Sequence, residues 1–311
     1  MKKILIAGIG GTGGFFGGKL AFHFADSLDT EIHFLGRGEN LNAIRRKGLL
    51  VKYEDQSFIA HPKTISDDPG DIGIVDLLIC CTKTYDLEKT LIQLRPCIAP
   101  ETVILPLQNG VDGFERTQKL YPHNEIWQGC VYIISRLVEP GAVVDTGNLR
   151  RLLFGSTKGS NEKLVKAEML FKSAGIDTVL SSDIVKAIWE KFSFISPLAS
   201  ATSYCAQNIG QLLEDPESSL LLNSLFNEFK SVAAAKGISL PGDIIERSWE
   251  RLRSLPYETT SSMHSDVRAQ KQTEVESLTG YIHKEATRLD VKCPVYAMVY
   301  QNLTEGVGNM K

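Results

Sequence analysis

The chain has 311 residues, enough for two domains of ordinary size, and its 34 Lys and Arg against 37 Asp and Glu leave a formal net charge of −3. With a pI near 6.1 and no block of five like charges, it lacks the electrostatic footprint of a nucleic-acid or anionic-membrane binder. A small molecule is the expected partner, and the absence of any apolar run of about 18 residues predicts no membrane span.

The first element is the apolar run Ile4-Leu5-Ile6-Ala7, which reads as a buried parallel strand and is followed at once by Gly8-Ile9-Gly10-Gly11-Thr12-Gly13. A helix is expected over residues 15–28. Glycines at such a strand-to-helix turn let the backbone approach a pyrophosphate, and the start of the helix offers unpaired N–H groups and the positive end of its dipole. A second run, Ile32-His33-Phe34-Leu35, leads into Gly36-Arg37-Gly38. An NAD site usually carries an acid here for the ribose 2′-OH. Arg37 would instead pair with a 2′-phosphate, which points to NADPH; the plainer reading is a solvated loop arginine. Arg45 and Arg46 either share that role or are surface residues.

Further short strands are expected at residues 75–82, 102–107, 127–134, 152–155 and 178–180, alternating with helices as in a parallel sheet covered on both faces. Residues 48–60 and 136–148 each read as an antiparallel hairpin or an irregular strand pair. Lys83 and Gln108-Asn109-Gly110 each follow a strand, at the carboxyl end where open sheets bind ligands. A lysine there is equally a surface residue, and Asn-Gly is a common turn pair. The six cysteines show no C-x-x-C spacing and read as reduced core residues of a cytoplasmic protein. No histidine pair has metal-ligand spacing, so no metal is expected.

After Ser181 the strand signal stops and 3.6-residue periodicity takes over. The expected organisation is therefore α/β: a Rossmann-type doubly wound parallel sheet over residues 1–181, then an all-helical domain over residues 182–311, with chemistry expected where the two meet. Helices are predicted at 183–205, 216–236, 241–255, 266–289 with a break near Gln272, and 294–304.

In the first of these, Ile184, Ile188, Lys191 and Ile195 share one face, and Lys191 alone among them is charged. Such a lysine either snorkels to water or is held as a general acid, where its ammonium would stabilise and protonate a carbonyl oxygen receiving hydride. Lys186 and Glu190, spaced i, i+4, are expected to pair. Thr273 and Glu276 match a capping box, which would make Glu274 the first helical residue, an acid favoured there by the dipole alone or one used in a site. Thr259-Thr260-Ser261-Ser262 is either a carboxylate-binding hydroxyl cluster or an ordinary capping loop.

Together the glycine turn, Leu35-Gly36-Arg37-Gly38, Lys83, Gln108-Asn109-Gly110, Trp189-Glu190-Lys191, Ser261-Ser262-Met263 through Asp266 to Thr273-Glu274, and Thr279-Gly280-Tyr281 resemble the ketopantoate reductase (2-dehydropantoate 2-reductase) family over nearly the whole chain. The resemblance implies NADPH-dependent reduction of a 2-oxo acid to its 2-hydroxy acid, in the family's name case the pantoate step of pantothenate and coenzyme A synthesis. By position it implies Lys191 as general acid, Glu274 near substrate and nicotinamide ribose, and Asn109 on both cofactor and substrate. Ser262 would hold the substrate, Arg37 the 2′-phosphate, and Lys83 would line the cofactor site.

The match departs from the family at Ile195, Ala199, Thr259 and Ile209, where asparagines are usual. Losing those amides either brings in other side chains or changes the preferred 2-oxo acid. The alternatives are therefore a paralogue acting on another, more apolar 2-oxo acid and, in a different class, a non-catalytic NADPH sensor. The sequence leaves the oligomeric state open, a homodimer included.

Overall fold

The N-terminal apolar run forms the strand Lys3–Ala7 near the middle of a six-stranded, all-parallel sheet. In this computed structural model, which describes residues 1–308, the strand order is Thr64–Ser66, Glu31–Leu35, Lys3–Ala7, Leu77–Cys80, Val103–Pro106, Glu125–Ile126. The order reverses between Lys3–Ala7 and Leu77–Cys80, the topological switch point at which such sheets bind ligands.

Alternate residues of these strands feed two cores. Ile4, Ile6, Leu77, Ile79, Val103 and Leu105 face one side; Leu5, Ala7, Leu78, Cys80 and Ile104 face the other. Burial on both faces explains why the strands read as continuous apolar runs.

The glycine helix spans Gly11–His23, starting earlier and ending sooner than expected from the sequence. It lies between the six-stranded sheet and a second, four-stranded sheet built from the two hairpins, Leu49–Tyr53 with Gln56–Ala60 and Ser135–Glu139 with Ala142–Asp145. A Cβ on Gly14 would come 2.6 Å from Val143, and one on Gly17 would come 3.0 Å from Ile6. The glycines beyond the turn thus serve helix–sheet packing. None of the last three strands predicted to extend the parallel sheet does so. Gln128–Tyr132, Arg151–Gly155 and Asp177–Leu180 form a separate three-stranded sheet whose first pairing is antiparallel.

By their contacts the described residues fall into two units, Met1–Gln108 with Gly113–Val185, and Asn109–Asp112 with the described residues from Lys186 onward. The division falls inside the first turn of the helix Ile184–Cys205, which runs on through Pro197. Apart from Asn109–Asp112, the regular elements among the described residues of the second unit are all helical. Its core holds Trp189, Phe192, Phe229 and Tyr281, with ring centroids 5.3–6.2 Å apart. Around Pro197, the Ser196 hydroxyl donates to the Leu278 carbonyl at 2.9 Å and Ser200 meets Thr279 at 2.8 Å. These bonds tie the long helix to a π turn, Glu276–Gly280, that leads into the helix Tyr281–Arg288.

Candidate active site

In the first unit the glycine turn packs closely against its surroundings at every glycine but Gly10. Gly8 has φ +90°, and a Cβ there would lie 2.6 Å from the backbone N of Thr82, just past the neighbouring strand. A Cβ on Gly13 would lie 2.1 Å from the Gly8 carbonyl oxygen, and one on Gly11 would lie 2.1 Å from that of Ser135. Gly10 differs: nothing stands within 4 Å of its Cβ position, and no side chain caps the helix it begins. An open glycine at an uncapped helix start fits a pyrophosphate. Ile9 is held by its carbonyl, which accepts from Asn40 Nδ2 at 2.8 Å, while Asn40 Oδ1 accepts from the Gly141 N–H at 2.8 Å. Asn40 was not visible as a functional residue in the sequence, because its partners are set by tertiary packing.

Arg37 follows the second strand and is 79% exposed by side chain, with its guanidinium 2.7 Å from Asp86. Asp86 ends the turn Thr84–Asp86 that Lys83 precedes. Arg45 donates to the Ile65 carbonyl and Arg46 to that of Asn42, so backbone acceptors engage both. Gln108 donates from Nε2 to the Cys80 carbonyl at 3.0 Å, and its buried Oε1 has no partner among the described residues.

In the second unit Lys191 is half-buried on the face it shares with buried Ile184 and Ile188. Its Nζ donates to Asn109 Oδ1 at 2.9 Å, bringing together two of the residues singled out from the sequence. Lys186 and Glu190 pair at 4.0 Å as expected. Further along the face, Ile195 is half-buried and Ala199 is 2% exposed.

Glu274 is 3% exposed. The predicted capping box does not form: helical structure begins at Val275, and the Glu274 carbonyl accepts from the N–H groups of Ser277 and Leu278. Glu276 instead bonds Lys284 and Tyr300, because two donors on the following helices outcompete a backbone N–H for its carboxylate. The break near Gln272 is present, with Gln270 in a left-handed conformation (φ +51°).

The hydroxyl cluster divides its roles. Ser261 caps the helix Ser262–Arg268 by accepting from the His264 N–H, and its hydroxyl also meets Thr202 at 2.7 Å. Thr260 meets His264 Nδ1 at 2.6 Å, and Ser262 is exposed. His264, 3% exposed, was not singled out in the sequence. Burial, helped by the Arg268 guanidinium, holds its pKa below the usual histidine value, so the ring is neutral at neutral pH. Asn208, beside the departure at Ile209, caps Ile209–Glu214 and donates to Glu258. Ile209 itself is core, 1% exposed. Of the six unpaired cysteines, Cys81 and Cys205 are only half-buried, so the reading of all six as core holds for four.

A doubly wound sheet with an open glycine turn at its switch point, continuing into a helical unit, is the architecture of a dinucleotide-dependent oxidoreductase. The family model described as Ketopantoate reductase PanE/ApbA matches residues 4–159, and Ketopantoate reductase PanE/ApbA C terminal matches residues 183–306. The chain belongs to the ketopantoate reductase family. It is 28% identical over 302 residues to an uncharacterized oxidoreductase, YkpB, of Bacillus subtilis, covering 97% of each chain. It is 27% identical over 296 residues to a 2-dehydropantoate 2-reductase of Halobacterium salinarum, covering 94% of this chain and 95% of that one. The crystal structure of 2-dehydropantoate 2-reductase from Porphyromonas gingivalis W83 superposes with TM-score 0.85 at 34% identity, covering 97% of this chain and 99% of that one.

Proposed function

We propose that the protein reduces a 2-oxo acid to its 2-hydroxy acid, with ketopantoate to pantoate as the leading case. Bound NADPH supplies the hydride that reaches the carbonyl carbon. Gly8, Ile9, Gly10, Gly11, Thr12 and Gly13 seat the pyrophosphate, Arg37 takes the 2′-phosphate, and Lys83 and Asn109 complete the cofactor's surroundings. Lys191 donates the proton to the carbonyl oxygen as negative charge develops there, and recovers one from solvent afterwards. Asn109, Ser262 and Glu274 hold the substrate.

The observation that carries this reading is the hydrogen bond from Lys191 Nζ to Asn109 Oδ1 on an otherwise apolar helix face. It holds a half-buried ammonium on a defined partner, which a snorkelling lysine does not need. The test is NADPH oxidation by purified protein with ketopantoate and a panel of other 2-oxo acids. Turnover of none contradicts the enzyme reading and favours an NADPH sensor.

Ile195 and Ala199 favour a second reading within the same chemistry. They make the face beyond Lys191 apolar, which suits a branched apolar 2-oxo acid better than one bearing a hydroxyl. A higher kcat/KM for 2-oxoisovalerate than for ketopantoate selects it.

The cytoplasm is the compartment this reading carries, supported by six cysteines without a disulfide. Among the described residues no helix is long and apolar enough to cross a membrane. A homodimer is the proposed assembly, since a ketopantoate reductase from Staphylococcus aureus is described as dimeric. Light scattering of the purified chain tests it.

A further inference from the structure

The hydroxyls around Ser261 form a chain whose proton directions can be worked out. Thr202 donates to the Leu198 carbonyl at 2.7 Å, so its oxygen is the acceptor in its 2.7 Å contact with Ser261. Ser261 therefore spends its proton on Thr202, and its oxygen accepts the His264 N–H at 3.0 Å. It has no donor left for a ligand. Thr260 is different, because among the described residues its only side-chain partner is His264 Nδ1 at 2.6 Å.

Two tautomers of the neutral ring satisfy that contact. With the proton on Nε2, Thr260 would donate to Nδ1 and a buried Nε2–H would lack an acceptor, since Nε2 has no partner among the described residues. With the proton on Nδ1, the ring donates to Thr260 and Nε2 is left as a bare acceptor. Orphaned buried N–H groups are rarer than under-satisfied acceptors. The second tautomer is favoured, and it leaves the Thr260 proton available to a further acceptor. Thr260 is half-buried and its neighbour Ser262 is exposed, its hydroxyl making no hydrogen bond among the described residues.

We propose that His264 is a positioning residue: its Nδ1–H fixes Thr260 as an acceptor, so that the Thr260 and Ser262 hydroxyls are offered together to the carboxylate of the 2-oxo acid. Two donors from one short loop match the two oxygens of a carboxylate, and hydrogen bonds to a charged acceptor are stronger than neutral ones. The inference rests on the 2-oxo-acid reading above, and adds a residue that the hydroxyl pattern alone did not reveal.

The test compares His264→Asn, His264→Gln, His264→Phe and Thr260→Val in the full chain. The Asn amide nitrogen stands close to where Nδ1 was, whereas the Gln amide reaches toward Nε2. The expected result is KM for the 2-oxo acid near wild type in His264→Asn and raised about tenfold or more in the other three. In all four, kcat should stay within about threefold and the NADPH dissociation constant should be unchanged. Calorimetric binding of oxamate to the NADP-loaded protein should follow the same order without turnover. Unchanged KM in His264→Phe and Thr260→Val overturns the proposal. So does rescue by Gln but not Asn, or a fall in kcat, substrate affinity and NADPH affinity together with the melting temperature, which marks a structural role. If the wild type neither reduces a 2-oxo acid nor binds oxamate, the underlying reading fails and this inference with it.

Discussion

Gly10 and Gly13 differ by three positions and should respond to the same added methyl group in opposite ways. At Gly13 the new Cβ would lie 2.1 Å from the Gly8 carbonyl oxygen and 2.9 Å from Cys81 Cβ. Both neighbours are on or beside the central strands, so backbone must move, and overpacking of this kind costs roughly 1–3 kcal/mol. At Gly10 no atom stands within 4 Å, and the backbone at φ −94° is open to alanine. Loss of a glycine's freedom in the unfolded chain offsets the poorer cap, so Gly10→Ala should shift stability by less than about 0.5 kcal/mol. The same methyl group would occupy the space a pyrophosphate needs. Gly10→Ala should therefore melt within about 2 °C of wild type yet bind NADPH about tenfold to a hundredfold more weakly, whereas Gly13→Ala should lose stability. Thermal unfolding and fluorescence titration with NADPH measure the two effects separately. A Gly10→Ala protein that binds NADPH like wild type would refute the placement of the pyrophosphate.

Other consequences are as direct. Arg37→Ala should weaken NADPH by about tenfold or more while leaving NADH little changed, and Asp86→Asn, by freeing the guanidinium from a surface pair, should strengthen NADPH by about twofold to fivefold; titrations with both cofactors decide. Asp145, fully buried by side chain, accepts from Arg150 and from the Ile134 N–H. Asp145→Ala should cost about 1–3 kcal/mol in urea unfolding, because it leaves the Ile134 N–H without its acceptor and removes one of two carboxylates from Arg150, which keeps Glu54 and the Gly147 carbonyl. His33 and His264 are both held below the ordinary value of 6.5 by burial. Their unfolded forms bind protons more readily, so stability should be fully present above about pH 6.5 and decline as the pH falls below it. A melting temperature flat between about pH 6.5 and 5 would contradict that.

Much of the nucleotide-binding unit is legible because its signals are local. A glycine turn between a strand and a helix fixes its own geometry, and alternation along each strand marks two buried faces. The three-stranded sheet was not legible, since strand periodicity says which residues are buried but not which strand lies alongside. In the helical unit the 3.6-residue pattern placed the long helix to within a residue at its start and set Lys191 on an apolar face. What it could not give was the partner: Asn109 lies 82 positions away in the chain. The capping box failed for a related reason, because Glu276 had better donors on the two helices that follow it. Asn40 and Asp86 escaped notice since each acts through a contact distant in sequence that no spacing rule encodes, whereas His264 sits at i+4 from Thr260, a local signal that the reading of the hydroxyl cluster passed over.

The central claim is that the Lys191 ammonium protonates the ketone oxygen as hydride arrives. Single-turnover reduction of the best 2-oxo acid by wild type and Lys191→Ala, followed by nicotinamide absorbance, tests it most directly. The account predicts a rate lower by about 10²- to 10⁴-fold with the NADPH dissociation constant unchanged. An unaltered rate in the Lys191→Ala protein would contradict it.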